Sequence, residues 1–467
     1  MNYIWNIMRS VCRLIWISVL LNITTSFICY SFEKGLINAD SLISTTQQTT
    51  PILFERVNIF DGKTNKITYN QYVLIEGNVI SVISPTPIAS GVNTISINAE
   101  GKTLMPGLID VHVHMIFGAM SMADMMSPNL SPETIVEKAG QQAEKMLMRG
   151  FTAVRDVGGP SFALKAEIDK GTIAGPRIWP AGATISQTSG HGDFRLPHEP
   201  SRRFYGEVSR AEKFGATFIA DGRDEVLTAV RENLRMGASQ IKLMAGGGTS
   251  SAYDPVDVTQ YTFDEMKAAV EAAEDWGTYV TVHAYTTRAV RRAIEAGVKC
   301  IEHGQLLDEA TLKLMRKKDV WLSCQYLAED TPDMDPLRRE KRKPVIEGQE
   351  KVWPMAKKAK VKIAWGTDFL FEPELNEQQN EYLSKLSKWL SNYEILKMAT
   401  HDNAQLLALS GLRSPYAGKL GVVEAGALAD LILVDGNPLT NIELIAQPAE
   451  KFLLIMKDGK IAKNILP

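Results

Sequence analysis

Eight short apolar runs, most of them followed by a helical pattern, constrain this chain more than any other feature of it. The runs are residues 108–114, 151–156, 177–183, 240–244, 279–283, 298–302, 320–324 and 362–366. Between them, residues 131–149, 224–236, 262–276, 287–296 and 308–317 carry apolar side chains at the spacing of one helix face, and the first opens on Ser131-Pro-Glu as a capped helix does. Strands that run parallel need helical crossovers, so this alternation specifies an α/β fold, a (β/α)8 TIM barrel over residues 108–412. Chemistry in that architecture is carried at the C-terminal tips of the strands.

The flanks have another texture. Residues 52–59, 71–75, 79–82 and 94–97 are short alternating runs separated by Asp61-Gly62, Glu76-Gly77-Asn78 and Gly91; residues 428–434 and 451–456 repeat the pattern, with turns at Asp435-Gly-Asn-Pro438 and Lys457-Asp-Gly459. The economical reading is a small β-sandwich domain built from both chain ends, 51–107 and 413–467, with 33–50 as a polar linker before it. Ahead of the linker, Arg9 and Arg13 stand without an acid before an uncharged, mostly apolar stretch. Residues 1–32 therefore predict export to a periplasmic or secreted location, the segment being either a cleaved signal peptide or a retained membrane anchor. Cys12 and Cys29 fall in that segment, and Cys300 and Cys324 lie in or beside apolar runs, which predicts buried free thiols and no disulfide framework. A net charge of -3 gives no footing for nucleic acid.

The strand tips carry the informative residues. His112 and His114 sit two apart at the end of the first run, so both rings leave one face. Lys242 stands inside Gln240-Ile-Lys-Leu-Met244, where a charged amine is costly in a barrel interior. His283 ends the fifth run, His303 follows the sixth, and Asp368 follows the eighth in Ala364-Trp-Gly-Thr-Asp368. Tyr285 shares the face of His283 by the same spacing, and His191 lies in a glycine-rich loop after the third run. His401 reads as a surface or capping residue, His198 as a solvated loop residue, and Gly246-Gly-Gly248 as a turn leaving the fourth strand, since it lacks the ending of a phosphate loop.

This set resembles the metal-dependent amidohydrolase superfamily. More narrowly, Ile241-Lys-Leu-Met-Ala-Gly-Gly-Gly248, Gln187-Thr-Ser-Gly-His-Gly-Asp193, His283-Ala-Tyr285 and Ile301-Glu-His-Gly304 resemble its imidazolonepropionase-related branch, which includes Xaa-Pro dipeptidases, basic-residue carboxypeptidases and ochratoxin amidohydrolases. The resemblance implies two divalent metal ions, with zinc the first choice and manganese or cobalt also compatible. His112, His114 and Asp368 would hold one ion and His283 and His303 the other, bridged by a carbon dioxide-derived carbamate on Lys242. It further implies attack of a metal hydroxide on an amide beside a free carboxylate, with Asp368 passing the proton to the leaving nitrogen. His191 and Tyr285 become candidates for steadying the oxyanion or the substrate carboxylate, against the plainer alternative that each is hydrogen-bonded in place. A lid over residues 191–222 offers Arg195, Arg202 and Arg203, with Arg223 just after it, for that carboxylate.

The expected partners are a small-molecule substrate, a dipeptide such as Xaa-Pro or an N-acyl amino acid, and further copies of the chain in a homo-oligomer. The competing functions are a mononuclear deaminase or cyclic-amide hydrolase of the same superfamily, and an inactive metal-binding module.

Overall fold

The computed structural model describes residues 50–89, 91–127, 129–331 and 334–466. The expected export segment, and the linker up to its last residue, lie outside the described residues. Among the described residues no helix is long and apolar enough to cross a membrane.

The chain opens with strands β1 (Ile52–Phe60), β2 (Ile67–Glu76), β3 (Val79–Ser84), β4 (Ile95–Asn98) and β5 (Thr103–Pro106). The middle begins with β6 (Leu108–Val113), helix α1 (Pro132–Met148), β7 (Phe151–Asp156), α2 (Phe162–Lys170), β8 (Arg177–Pro180), β9 (Thr184–Ser186) and β10 (Thr217–Ile219). It continues with α3 (Arg223–Met236), β11 (Ile241–Met244), α4 (Phe263–Asp275), β12 (Val280–Thr286), α5 (Thr287–Ala296) and β13 (Cys300–Leu306). Helix α6 (Glu309–Lys318), β14 (Trp321–Cys324), α7 (Pro336–Ala359) and β15 (Ile363–Trp365) complete it. Strands β16 (Leu431–Val434), β17 (Phe452–Lys457) and β18 (Lys460–Asn464) end the chain.

Both ends meet in one eight-stranded sheet of order β18-β17-β16-β5-β1-β2-β3, with β4 on the other part of β1. Strand β1 serves two partners because its pairing shifts register around Arg56, whose φ is 56°. Before that point Ile52 to Glu55 pair with β4, and after it Asn58 and Ile59 pair with β5. Strand β16 shows why its run is apolar throughout: Leu431 and Leu433 enter the sheet's own core with Phe54, Val73 and Leu454, while Ile432 and Val434 face the central core.

The central strands are all parallel, in a three-stranded sheet β6-β7-β8 and a seven-stranded sheet β10-β9-β11-β12-β13-β14-β15. The run expected at 177–183 breaks in two at Gly182, which adopts φ 78° beside Asn233; a Cβ there would lie 2.5 Å from the Asn233 amide oxygen. That amide accepts from Ala183 N at 3.1 Å and donates to Ala183 O at 2.8 Å, ending one sheet and starting the next. Side chains bond across both seams. Asn403 donates to Ile109 O at 2.6 Å and to Trp365 O at 2.9 Å, tying β6 to β15. Gln240 donates to Asp156 O at 3.2 Å and Trp179 O at 2.9 Å beside β7, β8 and β11. The helices start as their caps require: Ser131, Thr262, Thr286 and Asp308 each accept from a backbone N–H of the first turn.

Candidate active site

Strand β6 delivers His112 and His114 to one place, both buried. His112 Nδ1 donates to Glu302 Oε2 at 2.8 Å, and His114 Nδ1 donates to Gly158 O at 3.0 Å. Each ring therefore has Nε2 left over, and both Nε2 atoms face Asp368 Oδ1, at 3.2 and 3.3 Å, able to offer a cation a lone pair or to share a proton with the carboxylate. Among the described residues His112 Nε2 has no hydrogen-bond partner although it is buried. One ligand atom from each of His112, His114 and Asp368 lies within 4.8 Å of the others.

Strands β12 and β13 bring the next pair, set by a register that puts His303 opposite Ala284, next to His283. His283 Nε2 donates to Gly247 O at 3.0 Å and His303 Nδ1 to Gln325 Oε1 at 2.8 Å, again leaving one nitrogen of each ring over. Ring centroids of His283 and His303 are 4.3 Å apart, and those of His112 and His303 are 5.0 Å apart. Two of these residues sit on strained backbone: His303 has φ 79° and Asp368 φ 58°, a left-handed conformation that costs a non-glycine residue about 1 kcal/mol or more. The surrounding bonds hold it, with Asp368 N donating to His112 O at 2.8 Å.

Lys242, on β11 opposite Thr281, is 1% exposed and has no ion-pair partner among the described residues. Burial pushes its ammonium below the usual lysine range, against the nearby charges of Glu302 and Asp368. Burial holds the protonation of His283 and His303 well below the ordinary imidazole range, helped by the neighbouring His191, His303 and Lys242 for the first and by His112 and Lys242 for the second. For His112 burial is outweighed by Asp368 and Glu302, which raise it. Burial opposes the charge of Asp368, yet His112 and His114 hold its carboxyl well below the ordinary range. The centre is thus imidazole rings around one ionised carboxylate and a desolvated amine, a donor set suited to divalent cations.

His191 joins this centre. Its ring stacks on His283 with centroids 3.9 Å apart and planes at 20°, and its Nδ1 meets Ser251 Oγ at 2.9 Å and Asp254 Oδ2 at 3.2 Å. The stacking explains Gly248: a Cβ there would lie 1.9 Å from His191 Cε1. Tyr285 is buried against both histidines of the pair, 5.0 Å from His283 and 5.1 Å from His303 between ring centroids. The four arginines expected to offer themselves to a substrate carboxylate are all paired with acids: Arg195 with Asp193, Arg202 with Glu212, Arg203 with Glu225 and Arg223 with Glu271. Lys341 of α7 bonds the loop that holds His191, donating to Ser251 O at 2.7 Å and Asp254 O at 2.9 Å, while Arg342 of the same helix pairs with Asp330.

His198 is exposed and His401 pairs with Asp402, both away from the centre, and Cys300 and Cys324 are buried free thiols. Sequence reasoning missed Arg155, Glu302, Asp254 and Gln325 as supports of the site. Arg155 and Glu302 did carry a signal, a charge inside an apolar strand run, the same one that marked Lys242.

Comparison with known proteins agrees with this geometry. Residues 103–463 match the amidohydrolase family. An ochratoxinase from Aspergillus niger is 32% identical over 373 residues, 77% of this chain and 76% of that protein. The structure of a prolidase complexed with N-methylphosphonate-L-proline superposes with a TM-score of 0.81 at 33% identity, covering 89% of this chain and all (100%) of that one. That of a Xaa-Pro dipeptidase with bound methionine in the active site gives a TM-score of 0.75 at 30% identity, covering 88% and 99%. On the strength of these matches the chain belongs to the amidohydrolase family and is a hydrolase of amide bonds.

Proposed function

We propose that this protein is an exported, binuclear metal hydrolase that cleaves an amide beside a free carboxylate, in a dipeptide ending in proline or another residue or in an N-acyl amino acid. One observation carries the metal reading: each of four histidines spends one ring nitrogen on the protein and leaves the other over within the same cluster. His112, His114 and Asp368 fit one divalent cation and His283 and His303 a second. Lys242, close enough to act on His112, His283 and His303, fits the bridging place as a carbamate, which would relieve the cost of a buried amine. Zinc suits this donor set best. When bound, such ions supply an acidified water and a Lewis acid for the amide carbonyl.

The remaining steps belong to the chain. Asp368, ionised beside His112 and His114, accepts the proton of the attacking water and returns it to the departing nitrogen. His191 and Tyr285 approach from the His283 and His303 side, where they orient the substrate carboxylate or the developing oxyanion. The prolidase ligand, an L-proline derivative, and the Xaa-Pro dipeptidase support a substrate that bears an amino-acid carboxylate.

In the same reading the two parallel sheets are the halves of one (β/α)8 barrel over 108–412, joined by the Asn403 and Gln240 bonds, and the eight-stranded sheet is the core of a β-sandwich from 51–107 and 413–467. Export rests on the charge and hydropathy layout of residues 1–32. The test of function is a set of N-acyl amino acids and dipeptides assayed beside their methyl esters with metal-loaded protein. The free acids should be hydrolysed at the amide at least about 100-fold faster, the size of a lost charged hydrogen bond of about 3 kcal/mol. Equal amide cleavage in acids and esters would remove the carboxylate from the proposal.

A further inference from the structure

Beneath the centre lies a charge pair closed off from solvent. Arg155 on β7 and Glu302 on β13 are both 0% exposed, and Arg155 Nη2 donates to Glu302 Oε1 at 2.6 Å. Burying a full ion pair is seldom a gain in stability over an apolar pair of the same size, so its placement calls for another reason. Every contact of Glu302 Oε1 is with a donor: the Arg155 guanidinium, the Thr281 hydroxyl and the Cys300 thiol at 3.3 Å. With Oε1 so occupied, Oε2 is left as the acceptor for His112 Nδ1 at 2.8 Å. Arg155 also donates through Nε to Val111 O at 2.6 Å, one residue before His112, and through Nη1 to the Tyr279 hydroxyl at 3.1 Å. One guanidinium thus fixes both the strand that carries His112 and the carboxylate that reads its ring.

A second group competes for that ring. The Gln325 amide nitrogen lies 3.1 Å from His112 Nδ1. Donation from that amide would put the ring proton on Nε2 and take away the lone pair that faces Asp368. A neutral acceptor in place of Glu302 would leave the two arrangements comparable. The anion decides between them, because a carboxylate offers no proton and demands one.

We propose that Glu302, clamped by Arg155, is a positioning residue that locks His112 in the Nδ1–H form and so presents its Nε2 to a divalent cation. This rests on the metal reading above, and the experiment separates the two. Zinc is titrated into metal-free wild type, Glu302→Gln and the double variant Arg155→Met/Glu302→Gln, with thermal unfolding of each metal-free protein and the histidine ring 15N spectrum recorded alongside. Glu302→Gln should bind zinc at the His112 site about 10- to 100-fold more weakly, the usual effect of removing a histidine's outer partner, and should show a shifted tautomer balance for His112. The double variant removes the uncompensated guanidinium, so it should recover thermal stability without recovering zinc affinity. Wild-type affinity in Glu302→Gln, or affinity that returns together with stability in the double variant, would overturn the positioning role. If Glu302→Gln does not fold, the double variant alone decides by its zinc affinity. Wild type that binds no zinc would remove the metal reading itself.

Discussion

At the scale of single residues, the division of labour among the histidines is what the account depends on. Asp368 is the one carboxylate facing His112 and His114 together, and it is partly open, with 24% of its side chain accessible. Its replacement Asp368→Asn keeps the shape and removes the base. Turnover should fall at least about 100-fold, at the low end of what a general acid–base group contributes, while unfolding temperature stays within a few degrees of wild type. A variant with unchanged kcat would remove Asp368 from proton transfer. The strand-tip residues were legible in the sequence because His112, His114, His283 and His303 stand where apolar strand runs end, in a chain with only seven histidines. Their partners were less so: Glu302 showed only as a charge inside an apolar run, and its reach to His112 on the other sheet, like that of Gln325 to His303, depends on which strands lie side by side.

At the scale of elements, the long periodic segments read well and the short ones did not. Helix α5 has the expected bounds, 287–296, and α1, α3, α4 and α6 fall within a residue or two of theirs. Strands β5 and β10 were missed because four and three residues are too few to show a period, and β5 also ends in a proline. Helix α7 was missed for a related reason, since Pro344 and Pro354 interrupt its pattern. The turn after β11 was read as a turn and nothing more. Its third glycine does a specific thing, giving the His191 ring the space it needs over His283. Gly248→Ala should therefore displace His191 and lower kcat/KM about 100-fold, as a shift of about 1 Å in a positioned group does, with zinc content unchanged. Kinetics equal to wild type would make His191 a bystander held by Ser251 and Asp254.

At the scale of the whole molecule, the sequence showed that parallel βα units fill the middle and that both ends contribute β structure. It did not show how the ends combine into a single sheet or that β1 divides its pairing at Arg56. Nor did it show that the arginines near the expected lid are consumed by local acids while α7 brings Lys341 to the His191 loop from a distant part of the chain. Long-range placement of this kind follows from packing and charge neutralisation across loops, which carry no periodic signal. Seen whole, the fold brings six potential ligands from five strand tips to one centre, and the central claim is that they hold two ions around a carboxylated Lys242. The direct measurement is the metal content of wild-type protein expressed in zinc with bicarbonate, beside Lys242→Ala. Two zinc ions per chain in wild type, falling to one or none in Lys242→Ala, is the predicted result. About one ion per chain in wild type, unaffected by loss of the lysine, would contradict it.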